Sequence, residues 1–233
     1  MTFKELLSLV SSKNPPQIRT DSRLVRDGDI FVAVNGTVYD GHDFIDQATA
    51  NGAGYIVCQH VNTQYAIRNT QYQFIVVKDS AEAAALLAQA SRGNPASQLI
   101  NLAVTGTNGK TTVTYLVRSC IQKAGEKCGL IGTVIYDTCS GGGGPAKQPE
   151  VLTQATMTTP DCLAIAEMTD KMVRNGAKYM VIEASSHALS QNRLAGVSFK
   201  AAAFTNLAGD HMDYHQTREH YLAAKRKLCG GKS

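Results

Sequence analysis

The sequence predicts an α/β protein: a small N-terminal α/β domain over residues 1–95, then a P-loop-type domain with a mainly parallel sheet over 96–233. Three observations lead there. Leu99, Ile100, Leu102, Ala103 and Val104 form an apolar run that enters Gly106-Thr107-Asn108-Gly109-Lys110-Thr111-Thr112, and a helical pattern (Tyr115, Leu116, Val117, Cys120, Ile121) follows at once. On both sides of this stretch, short apolar runs alternate with helical periodicities. Between the two halves stands Gly93-Asn94-Pro95, a strong break in regular structure.

Taken in order, Phe3, Leu6, Leu7 and Val10 fall on one face of a short amphipathic helix. Asp29–Val34 reads as a strand turned by Asn35-Gly36. Asp43–Asn51 reads as a helix with Phe44, Ile45 and Ala48 inward, and Tyr55–Cys58 and Phe74–Val77 as short strands. Ser80 is expected to cap an alanine-rich helix running to about Ser91. Beyond the glycine loop, Lys127–Ile135 is expected as one strand, and Ser140 through Pro145 as a glycine-rich excursion. Thr159-Pro160-Asp161 is expected to start a helix, with proline in its first turn and Asn175-Gly176 at its end. Tyr179–Ile182 and Ala201–Phe204 read as further strands, and Thr217–Leu228 as a last helix. The sheet is expected to be covered on both faces.

Composition narrows the function classes. A net charge of +4 with scattered basic residues favours small anions mildly and shows no nucleic-acid stripe. No apolar run approaches a membrane span, and the opening MTFKELLSLVSSK lacks the features of a signal peptide, so a cytoplasmic location is expected. Cysteines 58, 120, 128, 139, 162 and 229 show no C-x-x-C or zinc spacing; they are expected as reduced thiols, most of them in the core.

A glycine loop between a strand and a helix is a phosphate cradle. Gly106 and Gly109 let the backbone approach an anion, and the helix N-terminus adds N–H groups and a positive dipole end. Lys110 supplies a charge for the outer phosphates, and the Thr111 hydroxyl is placed for Mg2+. The spacing is G-x-x-G-K-T, shorter than the standard G-x-x-x-x-G-K-[ST], since Val104 stands where that motif needs its first glycine. Two more polar clusters fall at expected strand ends, where open α/β sheets bind ligands: Glu183-Ala184-Ser185-Ser186-His187, and Asn206 through Asp210-His211-Met212-Asp213-Tyr214-His215. Taken singly, Glu183 reads as a solvated strand terminus and Ser185 as a helix cap. His211 and His215 have the spacing of a zinc pair, but Met212 stands where H-E-x-x-H needs glutamate. Together the clusters supply carboxylate, imidazole and hydroxyl beside a phosphate cradle, the needs of a Mg2+–nucleotide site.

The series GTNGKTT, TTPD, EASSHALSQNR, FTNLAGDHMDYH and YLAAKRKL resembles the Mur ligase family, in its branch that completes the UDP-N-acetylmuramoyl tripeptide. Asp21-Ser22-Arg23 followed by DGDIFVAVNGTVYDGHDFI resembles that branch's UDP-binding domain, so that the resemblance spans nearly the whole chain. It implies an ATP- and Mg2+-dependent amide ligase of peptidoglycan precursor synthesis. The partner would be UDP-N-acetylmuramoyl-L-Ala-D-Glu, whose carboxylate is phosphorylated by ATP and then attacked by the amine of a diamino acid, diaminopimelate or lysine. By resemblance residues 106–112 (Gly106, Thr107, Asn108, Gly109, Lys110, Thr111, Thr112) hold ATP. Lys110, Glu183, His211 and Lys225 would be catalytic, with Thr111, Glu183, His211 and Lys225 around metal, and Lys225 carbamylated. Thr20, Ser22, Thr37, Val38 and Tyr39 would hold the uridine end, and Thr158, Thr159, Ser185, Gln191 and Arg193 the muramoyl-peptide. Without the resemblance, Lys225 is a surface lysine on an amphipathic helix.

The sequence departs from the family pattern at Ala208-Gly209, where a hydroxyl residue and an arginine are usual, at Met157, where asparagine is common, and in the glycine run. The resemblance also implies further central strands and a third domain that receives the amino acid, so the chain is expected to be a fragment with an incomplete central sheet, unable by itself to complete ligation. The competing readings are a non-catalytic module binding UDP-muramoyl-peptide or nucleotide, and a sister ligase adding D-Ala-D-Ala or building folylpolyglutamate. DSR…DGHDF and EASSHAL favour the tripeptide branch. The short loop and the lack of N-K-x-D argue against a kinase or GTPase.

Overall fold

A computed structural model describes residues 1–61, 72–140 and 152–230. The glycine run 141–145 and the terminal residues 231–233 lie outside the described residues. The chain divides into two compact units, Met1–Gly93 and Asn94–Ser233, and both are α/β.

In the first unit, four parallel strands lie in the order β1 (Ile18–Arg19), β2 (Ile30–Val32), β3 (Tyr55–Cys58) and β4 (Gln73–Val76). Helix α1 (Phe3–Val10) begins at a capping box in which the Thr2 hydroxyl accepts from the Glu5 N–H while Glu5 accepts from the Thr2 N–H. It buries Leu6 and Val10 and packs against α3 (Ser80–Ala90), which lies on the sheet. Asp79 caps α3, so Ser80 is its first helical residue and is buried, not the cap. The stretch expected as one helix from Asp43 divides into a 3-10 turn, Gly41–Phe44, and α2 (Ile45–Ala50). Ile45 and Ala48 join the core with Val25, Phe31 and Ile56. Phe44 does not; it lies at the surface edge-on to Tyr39.

The second unit is a six-stranded sheet in the order β10 (Phe199–Phe204), β5 (Ile100–Thr105), β9 (Tyr179–Glu183), β6 (Cys128–Ile131), β7 (Ile135–Asp137), β8 (Thr153–Gln154). The first four are parallel; β7 and β8 are antiparallel. The single strand expected over Lys127–Ile135 is therefore a hairpin, broken where Gly132 and Thr133 turn the chain beside Glu183. Helix α4 (Lys110–Lys123) covers one face, where Tyr115, Val117 and Ile121 pack near Cys128, Leu130 and Val181. Leu116 and Cys120 of the same helix face solvent. Helix α5 (Cys162–Arg174) covers the other face with Ile165 and Met172 against Ile131, Met180 and Ile182. Asp161 caps α5, which puts Pro160 ahead of the helix instead of in its first turn. Gly176 ends it at φ +74°. Short helices α6 (Ser186–Ser190) and α7 (Met212–His215) precede α8 (Arg218–Cys229), capped by Thr217.

Cover on both faces holds for the middle of this sheet and fails at β10, whose Lys200 through Phe204 are exposed. The cysteines also differ from expectation. Only Cys58 and Cys128 are buried, Cys120 and Cys229 are exposed, and no disulfide occurs among the described residues. No helix among them is long and apolar enough to cross a membrane.

Candidate active site

In the second unit the polar clusters converge at the carboxyl ends of the parallel strands, because β5, β9 and β6 run side by side in register and end together. β5 delivers the glycine loop, β9 delivers Glu183, β10 delivers Thr205-Asn206, and the β6–β7 turn delivers Thr133.

The loop is shaped by its neighbours. Gly106 has φ +141°, and a Cβ there would fall on the Thr205 hydroxyl, so only glycine fits. The Thr107 and Asn108 N–H groups donate to the main-chain and side-chain oxygens of Asn206, both at 3.0 Å, and the Thr205 hydroxyl donates to Asn108 O at 2.6 Å. The buried Tyr221 places its hydroxyl 3.0 Å from that of Thr107. Gly109, at φ +83°, starts α4 with no side-chain cap, which leaves the first N–H groups of the helix facing outward without intrahelical acceptors.

Two ammonium groups meet at this loop. Lys110 Nζ donates to Gly106 O and Thr107 O at 3.0 and 2.8 Å, and Lys225 Nζ donates to Gly106 O at 2.8 Å. Burial lowers the Lys110 pKa, against the opposing pull of the Glu183 and Asp210 carboxylates. Lys225 is 1% exposed, with its ammonium 4.5 Å from the Tyr221 ring centre. Burial, then the Lys110 charge, brings its pKa down to about 8. The surface-lysine alternative is thus overturned.

Glu183 is fully buried, not a solvated terminus. Its Oε2 accepts from the hydroxyls of Thr111 (3.0 Å) and Thr133 (2.9 Å), and its Oε1 accepts from the Thr133 N–H (3.0 Å). Behind it, the Thr159 hydroxyl donates to Glu183 O at 2.6 Å and accepts from the Ser185 N–H. Ser185 also caps α6, so the cap reading holds for it as well. Arg193 donates from Nε and Nη2 to Gln191 Oε1 and from Nη1 to Thr159 O. Thr158 lies 3.1 Å from the Thr133 hydroxyl. Of the expected residues in this unit, Thr112 is exposed on the first turn of α4.

His211 is half-exposed in the left-handed region at φ +53° and sits edge-on to His187, with ring centres 4.8 Å apart. The His187 ring in turn lies tilted against that of Tyr214, with centres 4.2 Å apart, and against that of His215, at 5.6 Å. Burial, and then the neighbouring imidazoles, lower the pKa of His215; burial, His211 and Arg193 lower that of His187. No group of three His, Cys, Asp or Glu side chains suited to a metal occurs among the described residues. The zinc reading of His211 and His215 therefore gains no third ligand. Thr111 and Glu183 instead bring two hard oxygen groups within 3.0 Å of each other, a donor set that fits Mg2+, which takes few protein ligands and fills its shell with water and phosphate oxygens.

In the first unit, Thr20, Thr37, Val38 and Tyr39 are exposed. Ser22 is buried, and its hydroxyl donates to Gln47 Oε1 at 2.6 Å. The 37–39 loop is anchored by residues the sequence reading did not single out. Asp40 accepts from the His42 N–H, His42 Nδ1 lies 2.6 Å from Asp40, and His42 Nε2 accepts from the Gln59 N–H at 2.9 Å. That last bond fixes the tautomer, with the proton on Nδ1 facing Asp40. Thr133, Tyr221 and Thr205 were missed for a like reason: each acts through a contact that local spacing does not show.

Comparison with known proteins gives the family of the chain. The profile of the Mur ligase middle domain matches residues 104–233, and that of the Mur ligase family catalytic domain matches residues 16–92. The chain is similar to the "UDP-N-acetylmuramoyl-L-alanyl-D-glutamate--2,6-diaminopimelate ligase" of Parabacteroides distasonis, 44% identical over 91% of this chain and 41% of that protein. The protein of that name from Geobacillus thermodenitrificans is 41% identical over 91% of this chain and 40% of its own length. The chain thus spans about two fifths of the curated relatives it matches. A solved structure with the same name aligns at TM-score 0.69 and 30% identity over 93% of this chain and 41% of that one. MurF ligase from Thermotoga maritima, in complex with ADP, aligns at TM-score 0.52 and 22% identity over 96% of this chain and 43% of that one, a likeness of fold.

Proposed function

Because the chain belongs to the Mur ligase family, we propose that it carries the nucleotide and UDP-substrate sites of an ATP-dependent amide ligase that adds 2,6-diaminopimelate to UDP-N-acetylmuramoyl-L-alanyl-D-glutamate. The observation that supports this best is the meeting of Lys110, Lys225, Thr111 and Glu183 around one glycine loop.

A carboxylate and a triphosphate repel one another, so a ligase must supply positive charge where they approach. Here the outward N–H groups of α4 and the Lys110 ammonium would take the phosphates. Lys110 leaves its two loop carbonyls for phosphate oxygens, a stronger, charge-assisted pairing. Mg2+ would be held by Thr111 and Glu183 and would offset the charge of the transferring phosphoryl group. His211, exposed beside His187 and Asp210, would face a second ion. Arg193 keeps two N–H groups beyond those given to Gln191 and Thr159, enough for one carboxylate or phosphate of the muramoyl-peptide.

Lys225 is suited to carbamylation. At a pKa of about 8 a useful fraction of its amine is neutral near physiological pH. The Nζ lone pair would bond to the carbon of CO2 and lose one proton, turning a cation into an anion beside Lys110. In the first unit, Thr20, Ser22 and the 37–39 loop would hold the uridine end.

Calorimetry on this chain tests the reading. ATP with Mg2+ and UDP-N-acetylmuramoyl-L-Ala-D-Glu are each expected to bind, with UDP competing only against the second. Absence of both would overturn it. Binding of the UDP-substrate without nucleotide would favour a non-catalytic module.

A further inference from the structure

We propose that Thr133 is a positioning residue that sets the plane of the Glu183 carboxylate for its metal. This rests on the reading of Glu183 as a Mg2+ ligand.

A glutamate carboxylate turns about its last torsion, and a buried one ligates well only if its oxygens point correctly. Thr133 grips both: its N–H reaches Oε1 at 3.0 Å and its hydroxyl reaches Oε2 at 2.9 Å. The grip is rigid, because Thr133 sits in the turn between β6 and β7 while β6 is paired in register with β9, the strand that ends at Glu183. Gly132 makes room for it, since a Cβ there would fall on Glu183 Oε1. A residue with a side chain at 132 would push the carboxylate out of the clamp.

The Thr133 hydroxyl has one proton and two neighbours, the carboxylate and the Thr158 hydroxyl at 3.1 Å. Both accept from that one proton; the charged carboxylate holds it at the shorter distance, 2.9 Å, and the longer bond donated to Thr158 ties that hydroxyl to the same clamp. Thr159 meanwhile donates to Glu183 O. Both threonines of the expected substrate segment are thereby tied to Glu183, one through Thr133 and one through the backbone. Valine at 133 would keep the shape and the N–H contact but lose the hydroxyl; serine would keep both contacts.

The test measures ATP affinity of the full chain, with and without Mg2+, for wild type, Thr133→Val and Thr133→Ser, beside the thermal midpoint. In Thr133→Val the Mg2+ concentration that half-saturates its effect on ATP binding is expected to rise at least about tenfold, the usual scale for loss of a group that orients a metal ligand. ATP affinity without Mg2+ is expected to stay at the wild-type level, and serine to restore the Mg2+ midpoint. An unchanged Mg2+ midpoint in Thr133→Val overturns the proposal. So does an equal loss of ATP binding with and without Mg2+, which would mark Thr133 as structural support only. Wild type that binds ATP with no Mg2+ dependence would overturn the metal reading of Glu183 and this inference with it.

Discussion

Lys110 and Lys225 donate to the same oxygen, the carbonyl of Gly106, at 3.0 and 2.8 Å. Burial of the Lys225 ammonium, and then the charge of Lys110 on the same acceptor, brings the Lys225 pKa down to about 8 against 10.5 for an ordinary lysine. Between those values the unfolded chain binds more protons than the folded one, so this residue makes stability rise with pH across the window. Below pH 8 both states are charged and the full cost of burying the ammonium is present. Denaturant unfolding at pH 7 to 10 in CO2-free buffer should show wild type gaining roughly 2 kcal/mol relative to Lys225→Met over that range. A parallel pair of curves would refute it.

The same pair predicts where CO2 goes. In 13C-labelled bicarbonate a carbamate resonance should grow as pH passes 8, and it should be missing from Lys225→Ala. Lys110→Ala removes the neighbouring charge, so the onset should move to higher pH. A carbamate signal that survives in Lys225→Ala would place the modification elsewhere.

Lys110→Ala should also abolish ATP binding and spare the binding of the UDP-substrate. Equal loss of both would indicate misfolding instead of a missing phosphate contact.

Gly106→Ala should do more damage than its size suggests. The residue holds φ +141°, and the added methyl would displace the Thr205 hydroxyl from its place beside the loop. A drop of at least about 2 kcal/mol in unfolding free energy is expected, together with loss of ATP binding. Gly125→Ala, also at positive φ but with open space around it, separates the two causes: it should cost only the backbone strain and leave ATP binding intact.

Thiol labelling should be ordered by burial. Cys120 and Cys229 should react first with a disulfide reagent. Cys58 and Cys128, whose thiols burial pushes up to about 11 and 12, should react only on unfolding. Peptide mapping after a short pulse checks this, and early labelling of Cys128 would count against the hairpin packing.

Much of this architecture was legible in one dimension. The run 99–104, the glycine loop and the helix after it are signals carried by neighbours in sequence, and so are the two later helices, although Asp161 and Thr217, read as part of them, turn out to be their caps. Local patterns misplace elements where a distant group intervenes. Lys127–Ile135 has the apolar content of one strand, but Glu183 needs a glycine and an N–H beside it, and the chain turns there. Ser80 has the chemistry of a cap, yet Asp79 reaches the Glu82 N–H first. Phe44 has the hydrophobicity of a core residue, yet a 3-10 turn rotates it outward.

The sequence by itself determined which chemical groups are available: a phosphate cradle, a carboxylate at a strand end and a family pattern along the whole chain. Only the tertiary structure decided how those groups behave. Whether Lys225 is a surface cation or a buried amine depends on Tyr221 and Lys110, and whether Glu183 is solvated or clamped depends on a turn fifty residues away. Protonation and orientation follow from burial and from close partners, and these are set when parallel strands bring their carboxyl ends together.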